Sequence, residues 1–194
     1  RSNDVGRLRD RILGYAGIET TKELNSLKPR GSRGWNNTTL ARLLCPMNKL
    51  REFDTDPDAF CQKVLEDKDG YRFGAMRWPS FLYDEKTHIK GKMRTGLFRS
   101  RFLLLCLLLI FCGPSAADSN YENSTQSQGT PPLVQRHNIK TITAEHLVYV
   151  ACLVRYSASD RDGPWVGKEF ADSLLHLLYR NTDFMNETLD WYDK

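Results

Sequence analysis

Seven basic or titratable residues lie within sixteen consecutive positions, a density that suits contact with phosphate groups. They are Lys86, His88, Lys90, Lys92, Arg94, Arg99 and Arg101. No acidic residue follows Glu85 in this stretch, and lysine and arginine make most phosphate contacts in proteins. The stretch has no Asn or Gln to read adenine and no Phe, Tyr or Trp between Tyr83 and Phe98 to stack on bases. Any contact should therefore be independent of base sequence.

Six of these residues are the predicted contacts for nucleic acid or another acidic partner. They are Lys86, Lys90, Lys92, Arg94, Arg99 and Arg101. A run of charges is equally typical of a solvated surface loop that leads into a buried helix. The sequence alone leaves both interpretations open.

A second pattern suggests a metal-dependent nuclease. Pro57-Asp58, followed later by Asp84-Glu85-Lys86, has the two carboxylates that hold a divalent metal and the lysine that stabilises developing charge. Its context argues against it, because Asp58 falls in the first turn of a predicted helix, where an acid favours the helix dipole. A metal-dependent nuclease that uses Asp58, Asp84 and Lys86 remains the enzymatic alternative.

Other catalytic chemistry has no support in the sequence. The four histidines are scattered, and no Cys-x-x-Cys or His-x-x-x-His spacing occurs. Nucleophile elbows, phosphate-binding loops and dinucleotide fingerprints are also missing. We therefore expect no catalytic residues, no metal and no cofactor. The favoured function is a non-catalytic interaction module.

The charge distribution bears on partners. The 194 residues carry a net charge of +4, but residues 160–194 hold eight acids and four bases, which leaves +8 on residues 1–159. The acidic end is expected to fold back on the basic stretch or to mediate self-association, and no membrane contact is expected. Five cysteines are too few and too odd in number for a disulfide scaffold, which predicts free thiols and an intracellular location, in the nucleus or cytoplasm.

Apolar periodicity predicts a mainly α, irregular orthogonal helical domain of six to seven helices with at most a short β-pair in 71–83. The clearest helix starts have a capping residue: Asn37 or Thr38, Asp56 followed by Pro57, and Thr143. The polar segment 115–138 is predicted to be a flexible insert in a single domain that spans 1–194. Since the chain begins with Arg1, we expect it to be the C-terminal part of a longer protein.

Eleven consecutive apolar residues fill positions 102–112. A helix of that length spans about 16 Å, roughly half a bilayer core, which favours a buried core helix. The flanking basic stretch and Pro114-Ser-Ala-Ala117 also resemble a secretory signal, so a secreted or membrane-anchored product is the alternative.

Several strings together resemble an uncharacterised domain family that occurs in many copies in basidiomycete fungi. They are Arg33-Gly-Trp35, Thr39 to Pro46, Trp78-Pro-Ser-Phe-Leu-Tyr83, Gly96 to Ser100, Gly113 to Ala116, the Thr-led stretch 143–156 and Thr188-Leu-Asp-Trp191. The resemblance covers residues 30–194. It implies a helix at 102–112 and a longer N-terminal part, and it transfers no activity and no site residues.

Overall fold

The fold of the computed structural model is mainly helical, as predicted. The structure describes residues 2–18, 20–117, 132–160 and 167–193, with side chains from residue 9 onward. The described α-helices are α1 (Ser2–Tyr15), α2 (Thr21–Ser26), α3 (Thr38–Leu44), α4 (Leu50–Thr55), α5 (Pro57–Leu65), α6 (Arg101–Phe111), α7 (Pro114–Ala117), α8 (Leu133–Arg136), α9 (Ala144–Ala158), α10 (Gly167–Arg180) and α11 (Thr182–Tyr192). These eleven helices exceed the predicted six to seven, since four of them have six residues or fewer and show little periodicity.

Helix α9 is the centre of the main core. It packs against α1, α3, α6 and α10. Ten of its fifteen residues are buried, including residues on both sides of the helix, because apolar side chains follow one another from Leu147 to Val154. Such a helix is stable only when neighbours cover it all round.

The apolar run at 102–112 lies in α6, with Cys112 as the residue that follows its last turn, and α6 is a core helix, as predicted. Its Ser100 side chain accepts a hydrogen bond from the Leu103 N–H and caps the first turn. Leu103, Cys106 and Leu107 are buried against the core around α9. In the described part of the chain, no helix is long and apolar enough to cross a membrane.

The capped helix starts are confirmed where the sequence placed them. Asn37 accepts from the Leu40 N–H, Asp56 from the Ala59 N–H, and Thr143 from the His146 N–H. One further start was missed although its signal is local: Thr20 and Glu23 form a reciprocal capping box at the start of α2.

The segment 71–83, before the basic stretch, contains no regular strand, and its residues Ser80–Leu82 form a 3-10 helix. Pro79 and Pro46 form an isolated bridge, in which the Met47 N–H donates to the Trp78 carbonyl and the Ser80 N–H donates to the Cys45 carbonyl. The Ser80 hydroxyl also donates to the Arg42 carbonyl at 2.6 Å. The predicted β-pair is thus reduced to single bridges, and the segment instead caps the C-terminal end of α3.

The predicted insert 115–138 falls partly outside the described residues. Its first three residues belong to α7, and residues 133–136 form α8. The prediction for 118–131 lies outside the described residues.

Candidate nucleic-acid interface

Residues 84–96 form a closed loop, here called the basic loop, between two parts of the core. The Asp84 N–H donates to the Gly96 carbonyl at 2.8 Å, and Tyr83 and Leu97 form an isolated bridge just inside this closure. Gly96 has a φ of 74°, and a Cβ at this position would lie 2.6 Å from the Asp84 carbonyl oxygen. The closure therefore requires glycine at position 96.

Hydrogen bonds within the loop hold its tip. The Ile89 N–H donates to the Thr95 hydroxyl at 2.8 Å, and that hydroxyl donates to the Lys92 carbonyl at 2.8 Å. The His88 Nδ1 lies 2.9 Å from the Thr95 carbonyl. The tip is a turn in which the Lys92 N–H donates to the Ile89 carbonyl, with Gly91 at a φ of 84°. One threonine thus ties both sides of the loop together.

Arg42 fixes the base of the basic loop to the helices. Its guanidinium donates to Glu85 at 2.7 and 2.9 Å and to Asp54 at 2.8 and 3.0 Å. Two bidentate ion pairs on one arginine join α3, α4 and the loop. The hydrogen bonds with Glu85, and then those with Asp54, raise the pKa of Arg42 above its ordinary value. Nothing in the local sequence around Arg42 marks it for this role.

Both acids of the basic loop are engaged inside the protein. Glu85 pairs with Arg42, and the Asp84 carboxylate accepts from the Lys86 N–H at 3.1 Å and from the Thr87 hydroxyl at 2.9 Å. Neither carboxylate forms a described ion pair with a lysine of the loop. The loop therefore presents its lysines without a neutralising partner from its own acids.

Three of the six predicted contact residues are exposed on this loop. Lys86, Lys90 and Lys92 are exposed, and their side chains form no hydrogen bond or ion pair with any residue that the structure describes. Arg101 is also exposed, in the first turn of α6, where a cation meets the positive end of the helix dipole. These four cations are available to an external anion.

The other two predicted contact residues contact the chain itself. Arg94 donates to the Asn181 side-chain oxygen at 2.9 Å. Arg99 donates to the Glu187 carbonyl at 2.9 Å, and its guanidinium lies 5.4 Å from the centre of the Trp191 ring. Arg94 thus contacts the residue before α11, and Arg99 contacts the middle and the last turn of that helix. Both predicted contact residues therefore have partners within the chain.

The acidic C-terminal end, residues 160–194, contacts the basic stretch 86–101 through neutral groups. The Asn181 amide and the Glu187 carbonyl accept the arginine hydrogen bonds, and the Tyr192 hydroxyl donates to the Phe98 carbonyl at 2.6 Å. Phe98 has a φ of 59°, a left-handed conformation that this bond helps to hold. The carboxylates of the end thus do not cover the lysines through any described ion pair.

Among the residues of the nuclease pattern, the described part of the chain shows one hydrogen bond, from the Lys86 N–H to the Asp84 carboxylate, and none from Asp58 to either of the other two. Asp58 is exposed in the first turn of α5, and the Asp84 carboxylate is turned onto its own loop. Among the described residues, no group of three His, Cys, Asp or Glu side chains could hold a metal ion.

The five thiols are unpaired, and four of them are buried. Burial raises the pKa of Cys45 to about 12 and that of Cys61 and Cys152 to about 11. A thiolate is the reactive form, so these groups are inert at neutral pH. Cys112 is the most accessible of the five.

A buried arginine also escaped the sequence analysis. Arg33 is 5% exposed and donates to the carbonyls of Leu27 and Lys28, each at 2.7 Å, and to that of Ser157 at 3.4 Å. These bonds connect the end of α2 with the last turn of α9, where the helix dipole favours a cation. The next residue, Gly34, approaches Asp160 so closely that a Cβ would lie 2.8 Å from its side chain.

Strings that the resemblance relies on are therefore neighbours in space. The Trp78–Tyr83 segment caps α3, which ends at Leu44 within the Thr39 to Pro46 string, and Gly96 closes the basic loop. Comparison with known proteins finds no match among curated proteins and none among solved structures. The model of one family, described as a family of unknown function (DUF6698), matches residues 1–194, which confirms the predicted uncharacterised domain. The chain belongs to this family of unknown function, DUF6698.

Proposed function

We propose that the chain is a non-catalytic interaction module that binds the phosphate backbone of nucleic acid through the basic loop, without reading base sequence. The contact residues are Lys86, Lys90 and Lys92, with Arg101 at the edge. Arg94 and Arg99 act as positioning residues that attach the basic stretch 86–101 to α11 and the residue before it.

One observation carries this proposal: the two acids of the loop are hydrogen-bonded to groups other than its lysine side chains, and its three lysines are exposed. Arg42 neutralises Glu85, and the turn of the loop occupies Asp84. An ion pair between these lysines and the loop's own acids would lower the positive charge that the loop presents. Here the local positive field is left open to solvent.

Rigidity adds to the argument. The loop is closed at both its base and its tip by hydrogen bonds, so the lysine backbones are already ordered before a ligand arrives. A preorganised loop loses less conformational entropy on binding than a mobile one.

An intracellular location, in the nucleus or cytoplasm, belongs to this proposal. An acidic protein surface is the alternative partner.

The experiment compares two variants of equal charge. Lys86, Lys90 and Lys92 are changed together to glutamine in one variant, and the exposed Lys22, Lys140 and Lys168 in the other. Binding of a labelled DNA duplex is measured by fluorescence anisotropy at about 50 mM salt, where phosphate contacts are strong.

We expect the loop variant to lose at least about tenfold in affinity and the control variant to change by less than about threefold, because only the loop lysines contact phosphate. Equal losses would indicate attraction by net charge alone. If the unmodified protein fails to bind DNA or RNA at this salt, the proposed function is wrong.

A further inference from the structure

The tip of the basic loop presents two large apolar side chains to solvent. Ile89 is 50% exposed and Met93 is 60% exposed, and they stand on either side of the Lys90-Gly91-Lys92 turn. Single exposed apolar residues are common on protein surfaces. Here two such residues lie within five positions at the tip of one loop. They stand next to lysines that have no described partner, a combination that suits a ligand with both apolar and anionic groups.

The backbone that carries these side chains is fixed. Both the N–H and the carbonyl of Ile89 are hydrogen-bonded within the loop, to Thr95 and Lys92 respectively. Met93 lies between Lys92 and Arg94, of which the first is bonded to Thr95 and the second to Asn181. The apolar pair is therefore held away from the core, and the loop cannot easily fold it inward.

We propose that Ile89 and Met93 act as a wedge that enters the minor groove of duplex DNA and partly separates a base step, while Lys90 and Lys92 hold the flanking phosphates. This inference rests on the proposed function and names its substrate class: duplex DNA that is bent or easily bent.

Three features favour this substrate over other nucleic acids. Isoleucine and methionine are among the side chains that minor-groove proteins insert between base steps, and the groove is lined on both sides by phosphates that lysines can meet. Single-stranded binding relies on aromatic stacking, and the loop has no Phe, Tyr or Trp. Adenine readout at base edges relies on Asn and Gln, which are also missing from it.

Unstacking a base step costs free energy, so the wedge has a measurable signature. The protein should prefer DNA in which that cost is already met, by a mismatch, a bulge or a flexible pyrimidine–purine step. It should also bend a straight duplex on binding.

The experiment uses three labelled DNAs of equal length: a fully paired duplex, the same duplex with a central bulge, and a single strand. Affinity is measured by anisotropy, and bending by energy transfer between dyes on the two duplex ends. The test variant is Ile89→Ser with Met93→Ser, and the matched control is Leu65→Ser with Met76→Ser, which removes two exposed apolar side chains elsewhere. Circular dichroism melts verify that both variants fold.

We expect the unmodified protein and the control to bind the bulged duplex about tenfold more tightly than the paired one and to bend the paired one. The Ile89/Met93 variant should bind both duplexes alike, without bending, and keep its affinity for paired DNA within about threefold, because its lysines are intact.

Binding of all three DNAs without preference or bending would overturn the wedge and leave the phosphate contact in place. Preference for the single strand would also overturn it. If no nucleic acid binds, the proposed function itself has failed. If the Ile89/Met93 variant instead loses binding to vesicles of phosphatidylserine and phosphatidylcholine that the unmodified protein binds, the tip is a membrane contact and the wedge is wrong.

Discussion

Arg42 and Glu85 form a bidentate ion pair across 43 positions of the chain, with N–O distances of 2.7 and 2.9 Å. The pair has two consequences. It fastens the basic loop to α3, and it removes from the loop the acid that would otherwise neutralise Lys86. The same guanidinium holds Asp54 on α4, so one side chain organises the base of the proposed binding surface.

Replacing Arg42 with methionine should lower the free energy of unfolding by about 1 kcal/mol, because two half-exposed bidentate ion pairs are lost. Arg51→Met is the matched control, since Arg51 is an exposed arginine on α4 and its side chain has no partner among the described residues. Urea denaturation measures the difference. Hydrogen exchange should show faster exchange of the Ile89 amide in the Arg42 variant. Equal behaviour of the two variants would contradict the anchoring role.

Gly96 and Gly91 provide a sharper comparison. Both have a positive φ, but only at Gly96 is there no space for a Cβ. Gly96→Ala should cost about 3 kcal/mol or more, since the new Cβ would meet the Asp84 carbonyl oxygen as well as strain the backbone. Gly91→Ala should cost about 1 kcal/mol, for the backbone strain alone, as nothing lies near its Cβ. Thermal denaturation of both variants checks this order, and a reversed order would mean that the loop closure is different.

Thiol labelling at pH 8 should modify Cys112 first and the other four cysteines only after unfolding. Burial raises the pKa of Cys45 to about 12, so at pH 8 its reactive thiolate is scarce and its sulfur is inaccessible. Raising the pH toward 11 increases the thiolate fraction, and labelling of the buried groups should still wait for opening of the core. Mass spectrometry after a short maleimide pulse counts the labelled sites. Fast labelling of Cys45 in the folded protein would contradict the described core.

Arg33→Met should be among the more damaging single substitutions, at about 3 kcal/mol, because it leaves the carbonyls of Leu27, Lys28 and Ser157 without this donor in a buried site. Arg33→Lys retains the charge but not the fork of donors, so its loss should be smaller. Chemical denaturation of both variants measures these losses. A neutral effect of Arg33→Met would show that solvent reaches these carbonyls.

The parts of the fold that sequence could predict are those whose causes are local. Asn37, Asp56 and Thr143 each accept a backbone hydrogen bond from a residue three positions later, so their roles can be read from neighbouring residues. The apolar run of α6 is also a local pattern. The short helix α4 has no side-chain cap and only six residues, which leaves no pattern to detect.

The candidate site was predictable only in part, because its organisation depends on residues far apart in sequence. Lys86, Lys90 and Lys92 can be recognised in the sequence because they belong to a run of basic residues. Arg94 and Arg99 belong to the same run, yet their partners lie 87 and 88 positions away, and no spacing rule separates them from the free lysines. Arg42 is an ordinary helical arginine until the fold brings Glu85 to it.

The salt dependence of DNA binding tests the central claim most directly. For the unmodified protein and a labelled duplex, the logarithm of the binding constant should fall with the logarithm of salt concentration at a slope of about −3, corresponding to three lysine–phosphate contacts. Changing Lys90 and Lys92 to glutamine should reduce the slope to about −1, whereas the same change at Lys140 and Lys168 should leave it near −3. A slope that is the same in both variants, or no binding at about 50 mM salt, would contradict the account.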